Sequence, residues 1–269
     1  MLLAIDVGNT NIVFALCMGD TIVHRWRIST SHDRTADEYA VWLHQLLALE
    51  GVSHAHIDAA IISTVVPPAL FNLQRLCRKY FQMEPLVVAV GQIDLGLTIE
   101  LANPAEVGAD RLVNAVAAHQ IWPGSLIIID FGTATTFDIV SATGAYQGGA
   151  IAPGPNLSMD ALYQAAAKLP RIAIEPPPEG KGAIGKGTVH AMQSGLFWGY
   201  VGLIEGLVAR LAAEMPAPVT VIGTGGLATL FHKHTAAIAH VDYDLTIRGL
   251  IRLHAINTPK SLNTETDYI

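Results

Sequence analysis

LLAIDVGNTNIVFAL (residues 2–16) and LIIIDFGTATTFDIV (residues 126–140) decide how the rest of this 269-residue chain is read. Each writes an apolar run, an Asp, a Gly, a cluster of small polar residues and a second apolar run. Short apolar runs joined by turn-forming residues predict β-hairpins. Asp6 and Asp130 lie 124 positions apart, and in that register Gly8 falls on Gly132, Asn9 on Thr133 and Asn11 on Thr135. The period is far too long for a solenoid, whose repeats run about 20–50 residues. It predicts a duplicated α/β domain.

The order of elements around each hairpin supports the repeat. After the first come a strand in TIVHRWRI (residues 21–28) and a helix over 36–49, with Tyr39, Leu43, Leu46 and Leu47 on one face and Asp33 or Thr35 as its cap. A buried strand over 59–67, a helix over 69–80 and a strand in PLVVAV (85–90) follow. After the second come a strand in AYQGGAIAPG (145–154), helices over 156–167 and 188–214, the strand PVTVIG (218–223) and a helix from Leu227. RLVNAVAAHQI (111–121) reads as a helix bridging the halves. The expected division is therefore 1–115, 116–256 and a polar tail at 257–269, with a cleft between the halves.

Half of the residues are hydrophobic and 14% are charged, enough apolar content for sizeable cores. The net charge of −7 offers no basic footprint for nucleic acid or an anionic membrane surface. It leaves room for a phosphorylated ligand, because phosphate sites use local backbone amides. Cys17 and Cys77 show neither metal-ligand nor disulfide spacing and read as small buried hydrophobes in a reducing cytosol. Asp6 interrupts the N-terminus before a secretory core forms, and no apolar run approaches ~18 residues, so a soluble, cytoplasmic protein is expected.

The hairpins also carry chemistry. A Gly in such a turn lets backbone N–H groups converge on an anion. Asn9, Thr10, Thr133 and Thr135 add short donors, while Asp6 and Asp130, at strand ends, suit a cation or its hydration shell. Gly-Asn-Thr is also ordinary turn chemistry; two copies favour the functional reading. GTGGLA (223–228) is compatible with a ligand against a helix start and equally with a plain tight turn. GKGAIGKG (180–187) fails as a P-loop, since Gly187 occupies the Ser/Thr position and prolines precede it. The surrounding Pro- and Gly-rich stretch, 175–187, reads as a mobile loop. In EVGADRLVNAVAAH (106–119), Asp110 suits a helix N-cap, and Arg111 then sits against the helix dipole, where an anionic ligand would account for it. The eleven histidines form no metal pattern.

In combination, DVGNTN (6–11), NPAEVGADR (103–111), DFGTATTFD (130–138), GGAIAPG (148–154), KGTVHAMQSGLFWG (186–199) and GTGGLA resemble the type III pantothenate kinases. The likeness covers about residues 1–255, within the superfamily of acetate kinase, sugar kinases, Hsp70 and actin. It implies two duplicated ribonuclease H-like (actin-like ATPase) domains and ATP-dependent phosphorylation of pantothenate, the first step of coenzyme A synthesis. Carried over by position, Asp6, Val7, Gly8, Asn9, Thr10, Asn11, Ile12 and Val13 would line the ATP phosphates, joined by Thr133. Gly108, Ala109, Asp110 and Arg111 would hold pantothenate, with Arg111 on its carboxylate, Asp110 as base and Thr188 as a further contact. Asp130 would bind potassium or ammonium. Mg²⁺ would bridge the phosphates, with Asp6 as an indirect ligand, and the protein would be a homodimer with its substrate pocket near the interface.

Two positions depart from the family pattern. Leu101 stands where a Tyr is frequent, which removes a hydrogen bond of about 1 kcal/mol, and Ala166 replaces a frequent Thr. Two rival readings are another small-substrate kinase of the superfamily and a non-enzymatic ATP-binding regulator. Asp6, Asp110, Asp130 and Arg111 weigh against the regulator, and the lack of extra polar or zinc-binding motifs weighs against a sugar kinase.

Overall fold

The computed structural model describes residues 1–178 and 180–258; most of the polar tail read from the sequence lies outside them. The first hairpin is β1 (Leu2–Val7) and β2 (Asn11–Met18), paired antiparallel with Asp6 opposite Val13 and Val7 opposite Ile12. β3 (Thr21–Ser29) continues the meander, and its alternating burial marks it as an edge strand with one face on the core. β4 (Ala59–Thr64) lies parallel to β1, and β5 (Leu86–Val87) parallel to β4, giving the order β3-β2-β1-β4-β5. Two residues of PLVVAV pair rather than the whole run.

One face of this sheet is built from Leu3, Ile5, Val7, Ile12, Phe14 and Ile62. Against it pack Tyr39, Leu43 and Leu47 of α1 (Ala36–Leu49) and Leu73, Leu76 and Cys77 of α2 (Pro67–Tyr80). Each large aliphatic side chain among them contributes about 1.5–3 kcal/mol on burial. Thr35 caps α1 in a full capping box with Glu38. α2 begins at Pro67 rather than at Ala69, because a proline lacking its N–H is well suited to the first helical position. Both cysteines are fully buried, and burial pushes the Cys77 thiol up to about 12.

The second sheet repeats the pattern. It also takes in two short edge strands, β6 (Thr98–Ile99) and β11 (His240–Val241). β7 (Ser125–Phe131) and β8 (Ala134–Val140) form the hairpin, β9 (Ala145–Pro153) completes the meander, and β10 (Val219–Gly225) lies parallel to β7. The strand order is β11-β10-β7-β8-β9-β6. The remaining helices are α3 (Ala109–Ile121), α4 (Pro155–Ala165), α5 (Thr188–Ala213), the short α6 (Ala228–His232) and α7 (Leu245–Asn257). Ile127, Ile129 and Phe137 of the sheet pack on Phe197, Val201 and Ile204 of α5 and Phe231 of α6.

The hairpins differ by one residue. Four residues separate the paired Val7 and Ile12, whereas three separate the paired Phe131 and Thr135. The equivalence of Asn11 with Thr135 is therefore corrected: Ile12 is the structural counterpart of Thr135. Beyond the turns the pairing matches again, with Asp6 facing Val13 and Asp130 facing Thr136.

Two compact units result, and they are threaded rather than consecutive. One holds Met1–Gly96, Gly108–Val113 and the chain from Ile247; the other holds Leu97–Val107 and Asn114–Thr246. A single cut after Ala115 thus becomes several crossings, with α3 contributing residues to both units. Gly249 of α7 lies so close to α3 that an added Cβ would come within 2.1 Å of the Val113 carbonyl.

By length and average composition α5 is among helices that could cross a bilayer, as core helices of soluble proteins also are, and this does not overturn the sequence reading. His190, Gln193, Glu205 and Arg210 break the apolar run while leaving the average hydropathy high.

Candidate active site

In the first unit, the β1–β2 turn is closed by the Gly8 N–H donating to the Asn11 carbonyl at 3.0 Å. Asn9 and Thr10 are exposed at the tip, Asp6 is half-buried, and Val7 and Ile12 are in the core. Of the eight residues expected along the phosphates, Val7 and Ile12 thus have only backbone to offer. Ser63 of β4 pairs with Asp6 and shares its face of the sheet. Its Oγ is buried and has no hydrogen-bond partner among the described residues.

The GADR segment joins this hairpin through Val65. The Val65 N–H donates to the Val7 carbonyl at 3.1 Å, and Gly108 packs against the Val65 side chain. α3 begins at Ala109, so Asp110 lies within its first turn and is not the N-cap expected from sequence. Its carboxylate accepts from the Arg111 N–H at 2.8 Å. This places a carboxylate at the positive end of a helix, where the dipole favours its charge.

The second hairpin is in the other unit. Its turn is closed by the Gly132 N–H to the Ala134 carbonyl, with Thr133 exposed at the tip. Thr135, fully buried, receives a hydrogen bond from the Tyr200 hydroxyl, which also lies 2.9 Å from the Pro153 carbonyl. Burial raises the Tyr200 pKa above the usual phenol value, against the effect of Thr135. Asp130 Oδ2 accepts from Asn114 Nδ2 at 3.0 Å, and Asn114 Oδ1 accepts from Thr246 at 2.8 Å. Gly225, with φ +86°, passes over this carboxylate: a Cβ there would stand 2.7 Å from Asp130 Oδ1. GTGG therefore serves as a close backbone approach to Asp130, followed by a helix of only five residues.

A second acid, Asp138, is fully buried beneath the same hairpin and accepts from Thr136 at 2.8 Å and Tyr146 at 2.7 Å. Leu101 packs against Gly148 of β9. Thr188 opens α5 and is exposed. The preceding loop is tied down: Ser194 donates to the Ala183 carbonyl, His190 contacts the Gly182 carbonyl, and Gln193 donates to Glu175. Asn114, Tyr200 and Ser63 are residues that sequence reasoning misses. The available signal for Asn114 is a lone amide in the apolar pattern RLVNAVAA.

No group of three or more His, Cys, Asp or Glu residues able to hold a metal occurs among the described residues. A protein-only metal cage is thus not what these residues provide. Single carboxylates beside amide-rich turns fit a hard cation held mainly by phosphate oxygens and water.

A model of the type III pantothenate kinase family matches residues 2–210. The type III pantothenate kinase of Paramagnetospirillum magneticum is 60% identical over 258 residues, which is 96% of this chain and 98% of that protein. Among solved structures, one named for a Baf family transcriptional activator from Campylobacter jejuni aligns with a TM-score of 0.58 at 17% identity, over 94% of this chain and 97% of its own. Another, named for a 2-dehydro-3-deoxygalactonokinase from Sinorhizobium meliloti, gives 0.56 at 15% identity over 100% of both chains. These last two likenesses speak to the fold, the duplicated actin-like ATPase architecture.

Proposed function

The chain belongs to the type III pantothenate kinase family, and from this we infer that it transfers the γ-phosphoryl group of ATP to pantothenate, the entry step of coenzyme A synthesis. The observation that carries this reading is the near-full-length identity to curated kinases, with both Asp-Gly hairpins and the GADR segment intact. A kinase of this family uses ATP with a divalent metal.

We assign the roles as follows. The turn from Gly8 to Asn11 receives the ATP phosphates on its backbone amides, with Asp6 at its base and Thr133 contributing from the second hairpin. Gly108 to Arg111 binds pantothenate, the Arg111 guanidinium taking its carboxylate. Asp110 accepts the hydroxyl proton as the phosphoryl group leaves ATP. An ordinary carboxylate suffices for this, because in a loose phosphoryl transition state positioning and charge neutralisation contribute most of the rate. Asp6 would help hold a divalent ion indirectly, and that ion would supply charge neutralisation at the phosphates. Asp130, oriented by Asn114 and covered by the Gly225 backbone, is assigned to potassium or ammonium. Thr188 contacts substrate.

The proposed homodimer rests on the outer surface of α4 and α5. Leu157 and Tyr163 of α4 and Val189 and Trp198 of α5 are each at least 40% exposed, large apolar side chains left to water. Beside them a groove of about 440 Å³ is lined by Leu162, Leu169, Met192, Leu196 and Thr188. Thr188 thus borders the face on which a second copy would sit, in keeping with a substrate pocket near the interface. This use of α5 is preferred to a membrane span because Gln193 and Ser194 are buried in the protein and bonded to the preceding loop. The buried thiols suit the cytoplasm, the proposed location.

A coupled assay of ADP release with pantothenate, with and without potassium, tests the reading. Asp110→Asn is expected to lose most turnover while still binding ATP. Near-normal activity in that variant removes the base assignment, and folded wild-type protein without turnover in either salt removes the kinase reading.

A further inference from the structure

Thr30, just beyond the end of β3, grips the first hairpin from the side. Its Oγ1 donates to the Gly8 carbonyl at 2.6 Å and its N–H donates to the Thr10 carbonyl at 3.0 Å. In a trans peptide the carbonyl and the following N–H point in opposite directions. Holding these two carbonyls therefore turns the N–H groups of Asn9 and Asn11 away from Thr30. The turn's amides are fixed before any anion arrives.

The duplicate half shows which part of this grip is particular to the first hairpin. The position 124 residues on is Gly154, whose N–H makes the corresponding backbone bond, to the Thr133 carbonyl at 3.0 Å. No side chain fits there, since a Cβ would stand 2.4 Å from the Thr133 carbonyl oxygen and 2.6 Å from that of Gly132. The backbone bond is common to both hairpins, whereas the hydroxyl clamp belongs to one.

We propose that Thr30 is a positioning residue for the nucleotide, whose hydroxyl clamps the Gly8 carbonyl and so preorganises the turn that receives the ATP phosphates. This rests on the assignment of the Gly8–Asn11 turn to the nucleotide. Preorganised donors spare a ligand the cost of ordering them, so the loss falls on nucleotide affinity.

The test compares Thr30→Val, Thr30→Ser and Asn9→Asp in the full-length protein, by equilibrium binding of a non-hydrolysable ATP analogue, by KM for each substrate and by thermal melting. Thr30→Val is expected to weaken nucleotide binding about fivefold, the loss of one hydrogen bond. Its pantothenate KM stays at the wild-type value. Thr30→Ser keeps the donor and stays within about twofold of wild-type affinity. Asn9→Asp sets a negative charge on the exposed tip and reports whether phosphates bind there at all. Wild-type affinity in Thr30→Val alongside weakened Asn9→Asp overturns the clamp and spares the turn's assignment. Unchanged binding in both overturns the assignment as well. Equal losses in Thr30→Val and Thr30→Ser, or a fall in melting temperature with no change in nucleotide affinity, also overturn the proposal. Should Thr30→Val fail to fold, Thr30→Ala against Thr30→Ser supplies the same contrast.

Discussion

Asn114 donates its amide N–H to Asp130 while its own carbonyl oxygen is held by the Thr246 hydroxyl. The acceptor-only carboxylate of Asp130 settles which end of the amide faces it, and the Thr246 hydroxyl donates to the other end. Hydrogen bonds to charged groups are worth about 1.5–3 kcal/mol, and Asn114 is almost fully buried. Asn114→Ala is expected to lower the melting temperature by several degrees and to raise the potassium concentration needed for half-maximal activity. An unchanged potassium titration would separate Asn114 from the cation.

Tyr200 anchors the second hairpin by a single hydroxyl shared between Thr135 and the Pro153 carbonyl. Tyr200→Phe keeps the ring in its core of Phe197 and Phe231 and leaves Thr135 with one buried bond fewer. We expect a loss of about 1–3 kcal/mol, measured by urea unfolding, and no change in the slope of that transition. A loss below about 0.5 kcal/mol, under the usual net worth of a hydrogen bond, would mean the hydroxyl is dispensable.

Ser63 leads to the opposite prediction. Its hydroxyl is buried and has no partner among the described residues, so its removal takes away an uncompensated polar group. Ser63→Ala is expected to leave the melting temperature unchanged or raise it. A fall would show that Ser63 bonds water or ligand in solution.

His44 governs part of the acid response. Burial, then the neighbouring His54, hold its pKa below the ordinary histidine value. Its Nε2 has no hydrogen-bond partner among the described residues, and its ring packs against Tyr80, Phe81 and His54. Burial likewise lowers the pKa of His254. A histidine with a depressed native pKa binds fewer protons folded than unfolded, so stability falls as pH drops through about 6.5 and levels off below the native pKa. Melting curves from about pH 7.5 down to about pH 5, a span bracketing that value, are expected to show this decline, and His44→Phe to flatten it. An equally steep decline in the variant would point to other groups.

Sequence carries the local features well. Residues 36–49 give α1 with its Thr35 cap, because helical periodicity and capping are written in neighbouring residues. Both hairpins are legible for the same reason. What escapes depends on distant partners. Thr30 and Gly8 are 22 positions apart, and nothing in WRIST announces that a threonine there reaches a turn carbonyl. α7 is not read from LTIRGLIRLHAIN, whose buried side includes Leu250 and Leu253 and whose Gly249 is fitted to α3, far away in the chain. The start of α3 at Ala109 is misread because Asp110 has the right chemistry for a cap and another task in the fold.

The three-residue second turn has a consequence for ancestry. An alignment of the halves that follows the pairing opens a gap after Gly132 and moves the equivalence by one along β8. Phe14 then meets Phe137, two rings in the same kind of core, and Ala15 meets the buried acid Asp138. The next turn restores the count. Two residues lie between the paired Met18 and Thr21, against three between Ser141 and Ala145, so Thr30 and Gly154 stand 124 apart once more. A residue missing at one end of the strand is returned at the other, and the two meanders share one overall length. Comparison without gaps therefore misplaces a single strand, and it would take Asp138 for a replacement of Phe14 when its true homologue is a small apolar residue.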